Sequence, residues 1–199
     1  MHPYQIDDEV KNSFLIVAVL LAVGLAYLFD LILSKFHILI PWWVESPSIL
    51  GFYGLIYWLY DKFLWKIKLF QRIDWLYVPN LAGAWDVKVK TSFDGFAQII
   101  SGKAIFRQTA SKVSISLETD TSESHSIHAA LIRVDKLRAY ELTYNYVNHP
   151  KADSTQTMSI HLGTTHVAIS DDCKKMDGEY YAGRDRQNYG RISFSRSRV

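Results

Sequence analysis

The chain has 199 residues, enough for one ordinary domain plus attachments. Its 22 Lys and Arg stand against 20 Asp and Glu, a net charge of +2, which excludes a protein built around duplex nucleic acid, since such proteins carry a strongly basic face. A single cysteine, Cys173, excludes an intramolecular disulfide and fits a reducing compartment.

The near-zero charge hides two unlike parts. Residues 1–75 hold 6 basic and 7 acidic side chains and five of the six Trp; residues 76–199 hold 16 basic and 13 acidic side chains and only Trp85. Phe14 to Phe29 is free of charge; Asp30 interrupts, and the apolar run then resumes to Ser34. About 20 helical residues at 1.5 Å each cross a hydrocarbon core of about 30 Å, so the pattern predicts a first span over 14–34. Asp7, Asp8 and Glu9 occupy the place where a signal peptide carries basic residues, which argues against cleavage. A second apolar run, interrupted only by Asp61 and Lys62, predicts a span over 49–65. A short loop with Pro41 and Pro47 joins the two into a helical hairpin, the geometry that bonds every backbone group within hydrocarbon. Lys62, Lys66, Lys68 and Arg72 follow the second span, so the positive-inside rule places both termini in the cytosol. Trp42 and Trp43 would mark one interface, and Trp58, Tyr60 and Trp65 the other. Asp30 is expected near the outer headgroups beside Ser34 and Lys35, the alternative being a contact with a partner helix or a pore.

From Leu81 the period changes from helical to alternating. Trp85, Val87 and Val89 alternate with Asp86, Lys88 and Lys90; Val113, Ile115 and Leu117 alternate with Ser114, Ser116 and Glu118; Tyr140, Leu142, Tyr144 and Tyr146 alternate with Glu141, Thr143 and Asn145. Asp94-Gly95 signals a turn, Asp120 to Ser124 a polar turn before a strand over Ser126 to Val134, and His149 to Ser154 a loop. Gly163-Thr164 reads as a tight hairpin between Thr155–Leu162 and Thr165–Ser170. A last pair, Gly178–Ala182 and Gly190–Ser195, flanks the loop 183–188. About eight strands joined by short connections predict a small antiparallel up-and-down barrel over 76–199, with a sandwich as the alternative. An eight-stranded barrel is filled by side chains or holds one small ligand.

The sequence lacks nucleotide-binding glycine loops, the nucleophile elbow and the HExxH zinc motif, so no enzyme is expected. His125 and His128, three apart on a strand, would face opposite sides, and His161 and His166 would flank a turn near Cys173. Without ligand-type spacing these are read as solvent-facing histidines, with no metal and no cofactor. Binding chemistry is better represented. Arg184, Arg186 and Arg191 stand among Tyr180, Tyr181 and Tyr189 near the C-terminus. Arginine offers a planar fork for phosphate, and tyrosine a stacking face for a base. Arg107 and Arg133 fall within predicted strands, where an anionic ligand inside the barrel would explain them; an outward position is the plainer explanation.

Two stretches carry a family resemblance. Val78-Pro79-Asn80-Leu81-Ala82-Gly83-Ala84-Trp85 looks like a P-x-L-x-G-x-W lead into a barrel, and Asp177-Gly178-Glu179-Tyr180-Tyr181 through Arg184, Arg186 and Gly190 looks like its closing hairpin. Following a membrane hairpin, they resemble the two-transmembrane β-barrel effectors of bacterial CBASS, the cyclic-oligonucleotide-based antiphage signalling systems. The resemblance implies a cyclic dinucleotide messenger bound by the cytosolic barrel. It further implies oligomerisation of the transmembrane helices, disruption of the inner membrane and abortive infection, without catalysis. Trp85, Tyr180, Arg184 and Arg186 are carried over as ligand-binding residues. Tyr144, Arg107 and Arg133 join them from strand position. A membrane-anchored, lipocalin-like barrel that binds lipid or docks a protein is the alternative.

Overall fold

The structure is a computed structural model; it describes residues 1–6, 8–36, 42–73, 76–134, 139–156, 158–183 and 186–197, and only the backbone of 8–11 and 42–47. Contacts divide the chain into two compact units: residues 8–78, and residues 1–7 together with 79–199.

The first unit holds two long helices, α1 (Asp8–Lys35) and α2 (Trp42–Lys62), followed by a short 3-10 turn and helix α3 (Lys68–Gln71). Within α1, Asn12–Lys35 is long and apolar enough to cross a membrane. Its buried stripe is Phe14, Ala18 and Ala22, spaced by four residues, while Ile16, Leu20, Leu21, Val23 and Leu28 stay exposed on the other faces. A soluble helix shows the reverse balance, one apolar stripe and a polar remainder. Phe14 stacks on Tyr60 at 3.9 Å between ring centroids, and Phe29 meets Phe52 edge-on at 6.0 Å, so α1 and α2 pack antiparallel. The second helix begins earlier than the sequence predicts: Pro47 lies inside α2 rather than in the connecting loop. Pro41 falls outside the described residues.

The second unit is a closed barrel. Eight strands follow one another in space as in sequence: β3 (Gly83–Thr91), β4 (Ile100–Gln108), β5 (Lys112–Thr119), β6 (Ser122–Arg133), β7 (Tyr140–Pro150), β8 (His161–Ile169), β9 (Lys175–Ala182) and β10 (Tyr189–Arg196). All eight successive pairings are antiparallel, and β10 returns to β3. The alternation is strict on β3, where Trp85, Val87, Val89 and Thr91 are buried and the residues between them exposed. Trp85, Phe106 and Phe194 meet in the lower core at 5.7 and 5.9 Å, with Ile115, Leu142, Val167 and Met176 buried around them.

Three features depart from the sequence reading. First, β8 runs unbroken through Gly163-Thr164, so the expected hairpin there does not exist. Gly163 is a strand glycine because the Tyr146 ring occupies the space a Cβ would need. Second, a bulge between Ser126 and His128 shifts the phase of β6, so His125 and His128 both face outward rather than to opposite sides. Third, the N-terminal residues belong to the sheet. β5 and β6 pair only over Ser116–Glu118 and Glu123–His125 before diverging. Into the gap come β1 (His2–Pro3), antiparallel to β5, and β2 (Gln5–Ile6), parallel to β6. The Ser126 hydroxyl bridges the seam: it accepts from the Ile115 amide at 2.9 Å and lies 2.8 Å from His2 Nε2.

One side chain ties these parts together. Buried Gln108 accepts from the Leu81 amide at 2.8 Å and donates to the Pro79 carbonyl at 3.0 Å and the Tyr4 hydroxyl at 3.2 Å. Gln108→Leu would strand a buried donor and a buried acceptor. It is expected to lower the stability of the full chain in detergent micelles by roughly 2–4 kcal/mol, while Ser126→Ala costs about 1 kcal/mol. Urea unfolding followed by near-ultraviolet circular dichroism checks both values and their order.

Candidate functional site

The two ends of the barrel differ. At the start of β3 the end is closed. Trp85 is fully buried, donates from Nε1 to the Leu81 carbonyl at 2.9 Å, and lies under the Arg196 guanidinium at 4.9 Å. Arg196 in turn donates to the Asn80 and Ala82 carbonyls at 2.6 and 3.2 Å. The residues of the P-x-L-x-G-x-W stretch are therefore engaged with one another and with Arg196.

At the other end the barrel opens into a cavity that encloses about 140 Å³ below an open mouth. Its aromatic wall is built by register. Tyr144, Thr165, Tyr180, Gly190 and Thr91 form one row across β7, β8, β9, β10 and β3. Gly190 leaves room for the Tyr180 ring as Gly163 does for Tyr146, so both tyrosines lie against the wall instead of filling the lumen. The Tyr144 hydroxyl is hydrogen-bonded to Thr165 and that of Tyr180 to Thr91. Burial pushes Tyr144 up to about 12. It also raises Tyr146 and Tyr180, while Thr91 and Arg186 act in the opposite sense on Tyr180.

Arg186 supplies the charge. It comes from the loop between β9 and β10, where its amide donates to the Gly183 carbonyl at 3.0 Å. Its guanidinium lies 5.5 Å from the Phe93 ring and lines the cavity beside Tyr146 and Tyr180. Its Nη1 is buried without a hydrogen-bond partner among the described residues. A buried guanidinium nitrogen left unpaired is costly, and a phosphate oxygen is the acceptor that best matches its fork.

Of the seven residues expected from the sequence, the structure brings Tyr144, Tyr180 and Arg186 together around this cavity. It does not bring Trp85, which is sealed in the closed end. Arg107 stands exposed on the outer face of β4, its neighbours Phe106 and Gln108 having taken the inner positions. Arg133 is half-buried at the far end of β6, in register with Tyr140. Arg184 lies outside the described residues. The sequence reading missed Tyr146, Ser124, Asn148 and His161, all lining the cavity. The signal for Tyr146 was the β7 alternation that placed Tyr144. For His161 the false hairpin hid an inward strand position. Among the described residues no group of His, Cys, Asp and Glu is arranged to hold a metal ion.

Comparison with known proteins fits this arrangement. Residues 76–196 match the family described as Cap15, cyclic dinucleotide receptor domain, and residues 14–66 match Cap15, TM helices. The chain belongs to the Cap15 family of CBASS effectors. It is 36% identical over 146 residues to CD-NTase-associated protein 15 of Yersinia aleksiciae, an overlap covering 73% of this chain and 68% of that protein. The two Cap15 segments correspond to the helical unit and to the barrel, so the family assignment covers both the membrane-associated and the receptor parts.

The cavity tyrosines make a prediction for alkaline pH. Below about 10 all phenols are protonated in both states, and the stability they confer is fully present. Between about 10 and 12 the unfolded chain releases protons that folded Tyr144 retains, so stability falls as pH rises, on the order of 2–3 kcal/mol for this group. Absorbance titration at the phenolate band is expected to show a late-ionising class of tyrosine, with one such group lost in Tyr144→Phe.

Proposed function

We propose that the barrel is the sensor of a ligand-gated membrane effector. A cyclic dinucleotide enters the open end, Arg186 pairs with a phosphate, and Tyr144, Tyr146 and Tyr180 contact the bases and ribose. The observation that carries this reading is the Nη1 of Arg186, buried without a partner among the described residues at the rim of a tyrosine-walled cavity. The relative from Yersinia aleksiciae, named for its association with a CD-NTase, supports the same ligand class. A lipid carrier would line its lumen with aliphatic side chains and no arginine, so this cavity argues against that alternative.

The helical unit is the output. Its two helices cross the inner membrane as a hairpin, with the basic residues Lys62, Lys66, Lys68 and Arg72 holding the barrel and both termini on the cytosolic side. Messenger binding promotes oligomerisation of the helices, and the assembly disrupts the inner membrane before phage matures. No catalysis is required. The ligand switches the protein only by binding the assembled state more tightly than the resting one.

The test is full-length protein reconstituted in dye-loaded liposomes and challenged with a panel of cyclic dinucleotides. One member is expected to bind and to trigger dye release. Arg186→Ala weakens binding at least tenfold, while Arg107→Ala, on the outer face, leaves it within twofold. Binding by no member, or an Arg186→Ala protein with unchanged affinity, overturns the proposal.

A further inference from the structure

A row of polar side chains crosses the cavity opposite the part of its wall built by Tyr180 and Thr91. Ser124 on β6 pairs in register with Asn148 on β7, and Asn148 with His161 on β8. All three point inward and line the cavity, with exposures of 7%, 7% and 8%. A filled barrel would place aliphatic side chains here, because a buried polar group costs stability unless it is hydrogen-bonded.

Their internal bonds satisfy only part of the row. The Asn148 amide nitrogen donates to the Met158 sulfur at 3.1 Å. His161 Nδ1 lies 2.8 Å from the Ser159 carbonyl oxygen, which can only accept, so Nδ1 carries the proton. In the neutral imidazole two acceptors then remain without partners among the described residues, Asn148 Oδ1 and the lone pair of His161 Nε2. The Ser124 hydroxyl beside them is equally unengaged and can donate. Across the three strands the order is donor, acceptor, acceptor.

We propose that this row reads the Watson–Crick edge of one base of the messenger, and that the base is guanine. This rests on the cyclic dinucleotide reading above and deepens it. The guanine edge presents a carbonyl oxygen, a ring N–H and an exocyclic amine in that order, the complement of Ser124, Asn148 and His161. Adenine and cytosine offer one amine beside a ring acceptor, and uracil one N–H between two carbonyls. Each would leave a buried acceptor of the row facing another acceptor. The three side chains stand on adjacent strands and line one cavity, while Arg186 takes the charge at the rim. Phosphate contact is thus assigned to the loop between β9 and β10, and base identity to strands β6, β7 and β8.

The experiment is calorimetric titration of the full chain in detergent micelles with cyclic di-GMP, cyclic GMP–AMP, cyclic di-AMP, cyclic di-UMP, cyclic di-CMP and cyclic di-IMP. Hypoxanthine lacks only the exocyclic amine of guanine. A guanine-bearing member is expected to bind most tightly, and cyclic di-GMP at least tenfold more tightly than cyclic di-IMP. His161→Phe is expected to erase that tenfold difference without weakening cyclic di-IMP, whereas Arg186→Ala weakens every member by a similar factor. Ser124→Ala, which changes volume little, weakens cyclic di-GMP and cyclic di-IMP equally, since both keep the carbonyl, and leaves the thermal melt unchanged. A wild-type protein that binds a member without guanine most tightly overturns the inference but not the sensor function. So does a His161→Phe protein that keeps the guanine preference. Binding of no member overturns both.

Discussion

Closure of the sheet is the constraint on which the other features of the receptor unit depend. Once β10 returns to β3 and β5 meets β6, every strand has one inward and one outward face, and no residue can serve both. The weak point of the ring is the β5–β6 junction, which holds only three paired positions. Residues 2–6 complete it, pairing with β5 on one side and β6 on the other, while Ser126 fastens the added segment through His2 and Gln108 through Tyr4. The helical segment therefore leaves and rejoins the barrel unit as an insertion, with chain on both sides committed to the same sheet.

The lumen is divided by chemistry along its length. The lower part is apolar and aromatic, closed by Trp85 under Arg196, with the Asn80, Leu81 and Ala82 carbonyls bonded. The upper part keeps hydroxyls, an amide, an imidazole and a guanidinium, and among the described residues Arg186 Nη1 is buried there without a hydrogen-bond partner. A natural core tolerates few such groups, because each costs about 1–3 kcal/mol. Their concentration at one end, beside tyrosines accommodated over glycines, marks the part of the barrel shaped for something other than its own side chains. The helical unit follows a different logic. Phe14, Ala18 and Ala22 give a narrow seam between α1 and α2, and the remaining apolar faces suit hydrocarbon rather than a protein core.

Much of this was legible in the residue pattern. The first apolar run, the change of period near Leu81, the strand alternation and the barrel class are consequences of local periodicity, which survives in a one-dimensional string. The family resemblance rested on two short stretches, and the matches over 14–66 and 76–196 agree with it. Tyr180 and Arg186, singled out through the resemblance, and Tyr144, singled out by strand position, all line the cavity.

What the sequence could not determine depended on distant neighbours. Gly163-Thr164 looks like a turn until Tyr146 is seen to need the space beside Gly163. The bulge at Ser126 inverts the parity of half of β6, and no residue type there announces it. Trp85 and Arg107 have the chemistry of ligand contacts, but one is consumed in closing the far end and the other stands on the outer surface. Ser124, Asn148 and His161 lie far apart in the chain and carry no motif; strand register alone makes them neighbours. Periodicity fixes which residues are strand and which are helix. Register, closure and the space between side chains decide which of them meet, and those are properties of the folded chain.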